Sequence, residues 1–513
     1  MVEKIKIYYH NHPLKTILFV GLFFRLLAVI FSKGFGWIDD QFLIIEIAQS
    51  WVDGTDYYGW LPDAQGNNQP KAFSFFYVGI HYLIFHFLEF INISDPQAKM
   101  YVIRLLHACW SLLIITGGYK IAHKLGGEKS ARLTGWLLAI IWLFPFLSVR
   151  NLVEFVSIPL LIMGVSKIIG NPGKNNILHW IWIGFLFGIA FNIRFQTMIF
   201  TGGVGLVLLF QKKWKETFLV ATGVLITIIL FQGLIDYLSW NKPFVQLQGY
   251  VYYNINHATE YLSAPWYFYI LVIFGLLIPP VSIYLFVGYF KSWKETMIFF
   301  IPTLIFLIFH SLFPNKQERF IITIIPFIII SGAIGWNQIT SRLNVKPALA
   351  KWHKASWIFF WVINIILLLP VSTMYSKKAR VEAMVYLSKY KDLNYFIMED
   401  VNKSVLRPPP LFYLQKWIYY TPVMENENLE KFSKNKKWKN PEKQPGFILF
   451  METDNIDSRH EFMRSVFPEI EFETAIEPGY MDRLLHWLNP INDNQNIYIY
   501  RNKAVIPDKL SNE

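Results

Sequence analysis

The chain has 513 residues, 54% of them hydrophobic, 18% aromatic and only 16% charged, with a formal net charge of +12. A soluble chain of this size carries about 25% charged residues, so a soluble globular protein is excluded. The positive balance is not a nucleic-acid signature either, because most Lys and Arg lie in short loops between apolar stretches, where they set membrane topology.

Apolar stretches long enough to cross a hydrocarbon core of about 30 Å recur from Leu14 to Met374. They predict about eleven spanning helices, near 14–32, 101–119, 132–149, 154–169, 176–193, 197–211, 217–237, 266–288, 296–312, 319–337 and 356–374. The first of these contains Arg25 and ends in Lys33-Gly34-Phe35-Gly36 rather than a small-residue cleavage site, so it reads as an uncleaved helix and not a signal peptide. A first external loop follows over 33–72. The segment 73–93 is apolar but carries His81, His86 and Glu89; the distribution of loop Lys and Arg favours an interfacial or re-entrant helix there. On that assignment Asp39, Asp40, Arg150, Glu154, Arg194, the loop from Asp236 to Tyr261 and the loop from Pro314 to Arg319 all emerge on the non-cytoplasmic face.

The composition becomes that of a soluble domain at about Tyr375, so the expected organisation is a transmembrane domain over 1–374 and a small α/β domain over 375–513 on the same face. A helix is predicted over 381–389, strands near 395–398, 417–420, 447–450 and 497–500, and helices over 458–466 and 482–488. The single cysteine, Cys109, rules out a disulfide framework and a cysteine metal site, and no His/Asp grouping has metal-ligand spacing, so neither a metal nor another cofactor is expected.

Polar groups beside membrane helices are expensive and mark candidate function. Asp39-Asp40 is either a solvated turn or a catalytic carboxylate pair. Arg150 and Glu154, four apart, form either a structural ion pair or a substrate contact. Arg194 either snorkels or meets a phosphate, and Lys316, Glu318 and Arg319 are either interfacial charge or a phosphate cradle. His257 fits a hydrogen-bonded loop residue better than a base, and Trp266 an interfacial belt better than a sugar platform.

Four stretches together resemble one family. Trp37-Ile38-Asp39-Asp40-Gln41-Phe42 is similar to the His-Pro-Asp-Glu-His-Phe signature of the lipid-phosphate-mannose-dependent mannosyltransferases of N-glycan and GPI-anchor assembly, glycosyltransferase family 22 of the GT-C superfamily. Ser148 to Glu154 resembles that family's Arg-Thr-x-Ser-Asn-x-x-Glu stretch. Asp236 to Trp240 and Pro265-Trp266-Tyr267-Phe268-Tyr269 follow its Asp-x-x-Tyr-Gly-x-Trp and Pro-Trp-x-Tyr-Tyr patterns. Asn315-Lys316-Gln317-Glu318-Arg319-Phe320 is close to His-Lys-Glu-Glu-Arg-Phe. The resemblance covers about 30–340 and leaves the C-terminal domain out.

The resemblance implies a GT-C fold and an inverting transfer of a sugar, with mannose favoured, from a polyprenyl- or dolichyl-phosphate donor to a glycan or glycolipid hydroxyl. Asp39 matches the family's catalytic aspartate, with Asp40 beside it; Arg319, Lys316, Arg194 and Arg150 are implied at the donor phosphate. Glu154, Glu318, Asp236, His257 and Trp266 are assigned to substrate binding or support. The expected partners are therefore the lipid-linked sugar, the acceptor and membrane lipids, with no nucleic acid. The composition favours a bacterial inner membrane with a periplasmic site over the endoplasmic reticulum. A transporter or flippase, or an inactive binder of lipid-linked glycans, is the alternative; a transporter of this kind often shows repeated halves, and none is visible.

Overall fold

The computed structural model describes residues 2–63, 65, 68–170, 176–260, 263–342 and 347–507, so Tyr261 lies outside the described residues. The chain forms two compact units. Met1–Phe31, Tyr58–Phe87 and Tyr101–Thr373 make the first; Ser32–Tyr57, Leu88–Met100 and Met374–Glu513 make the second. This grouping differs from a simple cut at residue 374, because the first loop and the stretch 88–100 pack with the C-terminal residues.

The first unit is helical. Among the described residues, six helices are long and apolar enough to cross a membrane: Pro13–Phe31, Pro96–Ile140, Val153–Gly170, Trp214–Trp240, Glu318–Ser341 and Ala350–Ser372. Shorter apolar helices span Phe75–Phe90, Ile177–Ile193, Thr197–Phe210 and Met297–Leu312.

Several expected spans take another form. The stretch 266–288 is two helices, Phe268–Leu276 and Val281–Lys291, bent by 116°. Pro279 and Pro280 lie in the break, where neither can donate a backbone hydrogen bond. Pro96–Ile140 is two helices that meet at Gly127, whose φ of 72° and ψ of −175° are not helical, so 101–119 lies in the first and 132–140 in the second, as the sequence predicts. The second stops at Ile140, and residues 150–152 are not helical.

Two devices hold the bundle. Arg25, fully buried, donates from Nε to Ser111 Oγ (2.7 Å) and from its terminal nitrogens to the carbonyls of Gly21 (3.1 Å), Ala139 (2.9 Å) and Leu138 (3.3 Å). A charge placed inside apolar packing is tolerated only when its donors are satisfied in this way. Elsewhere the helices touch backbone to backbone. A Cβ on Gly335 would stand 1.9 Å from the Gly288 carbonyl oxygen, so Val281–Lys291 and Ile325–Arg342 approach too closely for any side chain.

The second unit is built on a five-stranded mixed sheet: β1 (Tyr395–Asp400), β2 (Tyr419–Met424), β3 (Phe447–Met451), β4 (Ile470–Ile476) and β5 (Ile497–Asn502), in the order β2-β1-β3-β5-β4. The first three strands are parallel to each other, and β5 is antiparallel to β3 and β4. Ile397, Val423, Ile448, Phe450, Phe467 and Ile470 form part of its core. Three strands stand where the pattern predicts them, and β2 meets its predicted stretch, 417–420, only at Tyr419 and Tyr420. β4 escapes prediction because Glu471 and Glu473 interrupt its apolar run; it is an edge strand with a register shift between Phe472 and Thr474, where charge is tolerated.

The first loop is fastened to this unit. Ser376 N donates to Lys33 O (3.2 Å), and Lys377 Nζ donates to the carbonyls of Phe35 (3.3 Å) and Gly36. Gly34 has φ +73°, and a Cβ there would lie 1.9 Å from Ser376 O. Only glycine fits this position.

Two substitutions and a control test these contacts. Gly335→Ala is expected to destabilise by at least the ~1–3 kcal/mol typical of an overpacked core, read as a lower thermal midpoint in detergent. Gly205→Ala, where a Cβ meets nothing within 4 Å, should leave that midpoint unchanged. Gly34→Ala is expected to free the first loop, seen as faster limited proteolysis within 32–57.

Candidate active site

Within the first unit, three charged residues from distant parts of the sequence meet. Glu154 lies on the one-turn helix Val153–Val156, entered from extended backbone at Leu152 (ψ 105°). Its backbone carbonyl accepts from Ser157 Oγ (3.1 Å) and Thr323 Oγ1 (3.1 Å), which fixes the turn. Arg194 ends the helix Ile177–Ile193 in an extended conformation (φ −147°, ψ 108°). Arg319 lies in the 3-10 turn Glu318–Ile324.

Arg194 Nη1 stands 2.5 Å from Glu154 Oε1, and Arg319 Nε 3.7 Å from the same oxygen. Both guanidinium groups lie near the ring of Phe320, at 5.4 and 5.8 Å. All three residues are buried. Two arginines share one buried carboxylate, where charge is weakly screened. Arg194 Nε and Nη2 are buried and make no hydrogen bond among the described residues. An anion oxygen would satisfy such donors.

The surroundings fix this group. Arg319 Nε donates to Gln317 Oε1 (2.8 Å), and Gln317 N donates to Tyr269 Oη (3.3 Å). Lys316 Nζ donates to the carbonyls of Ser311 (3.0 Å) and Phe313 (2.5 Å), so two of its three donors staple the loop 313–317. Gln196 Nε2 donates to Tyr250 Oη, and the Tyr250 ring packs edge-on against Phe195 at 5.1 Å. Tyr250 stands close enough to feel the charges of Arg194, Glu154 and Arg319, although burial is what chiefly pushes its phenol pKa up.

The other candidates have contacts of their own. Residues 150–152 are not helical, so Arg150 and Glu154 do not share one helix, and the Arg150 guanidinium stacks over Phe146 at 4.4 Å. Asp236 is buried and accepts from Gln246 N (3.1 Å), holding the start of the helix Val245–Asn256. His257 bonds through Nδ1 to Tyr253 O (3.0 Å) and stacks on the Tyr253 ring at 4.3 Å, as a loop residue does. Trp266 is 63% exposed and Glu318 is exposed.

Asp39 and Asp40 belong to the second unit. They sit on the single turn Ile38–Asp40, which continues into the wide turn Gln41–Ile45; Asp39 is half-buried and Asp40 buried. The turn is approached through Phe35, whose ring lies under Lys377 (4.9 Å) and Arg380 (5.2 Å). Glu46, fully buried, accepts from Phe412 N (3.3 Å) and Gln41 Nε2 (3.5 Å). Sequence reasoning passed over Glu46 and Tyr250. A lone acid in the apolar run from Phe42 to Ala48 was a signal for Glu46; nothing in the local sequence marked Tyr250.

The chain is 21% identical to GPI alpha-1,2-mannosyltransferase 3 of Bos taurus over 72% of its own length and 65% of that protein. It is 28% identical to Dol-P-Man:Man(7)GlcNAc(2)-PP-Dol alpha-1,6-mannosyltransferase of Arabidopsis thaliana, over 43% of this chain and 44% of that one. The alignments thus span less than two thirds of either relative. In fold it is similar to the crystal structure of ArnT from Cupriavidus metallidurans bound to undecaprenyl phosphate, with a TM-score of 0.61 at 12% identity, over 96% of this chain and 98% of that one. That likeness extends over nearly the whole of both chains, so the fold is shared. The model of the Alg9-like mannosyltransferase family matches residues 16–423, past the expected limit near 340 and through β1 into β2 of the second unit. With four fifths of its length matched, this membrane protein belongs to the Alg9-like mannosyltransferase family.

Proposed function

We propose that the chain is an inverting mannosyltransferase that takes its sugar from a polyprenyl- or dolichyl-phosphate donor and gives it to a hydroxyl of a glycan or glycolipid. The observation that carries this reading is the buried Arg194–Glu154–Arg319 group, with two guanidinium nitrogens of Arg194 left for an anion. Family membership and the likeness to a protein that binds undecaprenyl phosphate support it.

In the proposed reaction Asp39 accepts the proton of the acceptor hydroxyl. That oxygen attacks the anomeric carbon from the face opposite the phosphate. The bond from anomeric carbon to phosphate oxygen breaks, and the lipid phosphate leaves with the electron pair. A carboxylate is a sufficient base because the proton departs late, when the anomeric centre already has oxocarbenium character. One displacement inverts the centre and needs no carboxylate nucleophile, in contrast to retaining glycoside hydrolysis. Arg194 and Arg319 meet the charge that develops on the departing phosphate, where preorganised donors are most effective. Glu154 holds both arginines in place, Lys316 adds charge and fixes its loop, and Arg150 completes the cationic set. Asp40 shapes the turn that carries the base.

The reading extends to topology. Counting the two arms of Pro96–Ile140 separately, the bent pair once, and Phe75–Phe90 as interfacial gives eleven crossings. With basic loops on the cytoplasmic side, the site then opens on the non-cytoplasmic face. The likeness to ArnT of a bacterium over nearly its whole length supports a bacterial inner membrane.

Transfer from radiolabelled polyprenyl-phosphate-mannose to a lipid-extract acceptor by the purified protein is the test. Wild-type transfer that disappears in Asp39→Asn, with donor binding retained, is the expected result. Transfer that survives Asp39→Asn sinks that assignment, and no transfer with any polyprenyl-phosphate sugar sinks the enzyme. Arg194→Met is expected to raise the donor KM by roughly 10- to 100-fold, the equivalent of a charged hydrogen bond of about 1.5–3 kcal/mol. Glu154→Leu should destabilise by roughly 3–5 kcal/mol, because it strands two buried cations; the double variant Glu154→Leu/Arg319→Leu should recover part of that loss.

A further inference from the structure

The helix Tyr480–Leu488 of the second unit carries an apolar face that the rest of that unit leaves uncovered. Tyr480, Leu484, Trp487 and Leu488, with Ile491 just beyond its end, are 52%, 43%, 77%, 63% and 83% exposed. Their spacing of four, three, one and three residues lines them along one side of a helix.

The opposite side is anchored. The Asp482 carboxylate, buried, accepts from the backbone nitrogens of Lys377 (3.3 Å) and Lys378 (3.2 Å). A Cβ on Gly479 would stand 2.7 Å from Tyr375 O, so backbone meets backbone there. The helix is therefore fastened to residues 375–378, and the apolar helix Ala350–Ser372 ends only five residues before Lys377. Five residues reach at most about 18 Å even when fully extended. The fastening point cannot move farther than that from the end of a membrane helix.

We propose that this face is an interfacial anchor that lies in the boundary between headgroups and acyl chains of the bilayer. Tyr480 and Trp487 beside Leu484, Leu488 and Ile491 are the residue types that settle at that depth. The charge at its margin is balanced, since Arg483 pairs with Glu477 at 2.5 Å. The partner is accordingly a lipid surface recognised through apolar area, with little dependence on anionic headgroups or salt. This inference stands apart from the proposed reaction and requires none of its residues.

Spin labelling of the full chain in phosphatidylcholine vesicles tests it. Cys109→Ala removes the one native thiol, and labels are placed at Trp487→Cys, at Ile491→Cys, or at Lys434→Cys on an exposed polar turn of the same unit. The second apolar position guards against weakened insertion in the tryptophan variant. Labels at 487 and 491 are expected to collide more with oxygen than with a water-soluble nickel chelate, and the label at 434 the reverse. Nickel access at 487 and 491 equal to that at 434 overturns the proposal. So does dipolar broadening between 487 labels that vanishes on dilution with unlabelled protein, which would assign the face to a second copy of the chain.

Discussion

The constraint on which the first unit depends is electrical: Glu154, Arg194 and Arg319 are buried together, and none could be left there alone. Removing an ion from water costs several kcal/mol even after relaxation, so each of the three is tolerated only because the others are in place. This explains the unusual backbone around them. The chain leaves its helix at Ile140, at Arg194 and again before Glu318, because a regular helix could not present these side chains to one another. The irregular stretches are the means by which charges at three remote positions reach one point.

The apolar rhythm of the sequence locates nearly every helix of the first unit, because burial against lipid or protein demands the same residue types either way. It does not distinguish a continuous span from a broken one. Pro279-Pro280 lies inside an apolar stretch and divides it all the same. The i,i+4 rule holds only where both residues share a helix, and residues 150–152 do not. The partners of Glu154 lie 40 and 165 residues away, and no local pattern encodes them.

The candidate site was legible in kind more than in detail. Arg194 and Arg319 were recognisable from residue type and from the family pattern, and both meet in the cluster. Lys316 was recognisable as a cation, yet two of its donors serve the loop's own carbonyls. Asp236 has the look of a site residue in sequence and acts on backbone, receiving Gln246 N. Tyr250 gave no signal, since its neighbour Gln196 is remote in sequence. The small domain was readable wherever strands are apolar and buried. The edge strand β4, where Glu471 and Glu473 break the apolar run, went unseen.

The fastening of Lys33–Gly36 to Ser376 and Lys377 makes the first loop a structural part of the C-terminal unit, although more than three hundred residues separate them. A change in the backbone of either segment is therefore felt by the other. A chimaera that exchanges residues 374–513 between relatives without also exchanging 32–57 would join a Gly34 turn to a surface it was not shaped for. Grafting both segments as one module respects the seam that the protein itself has drawn.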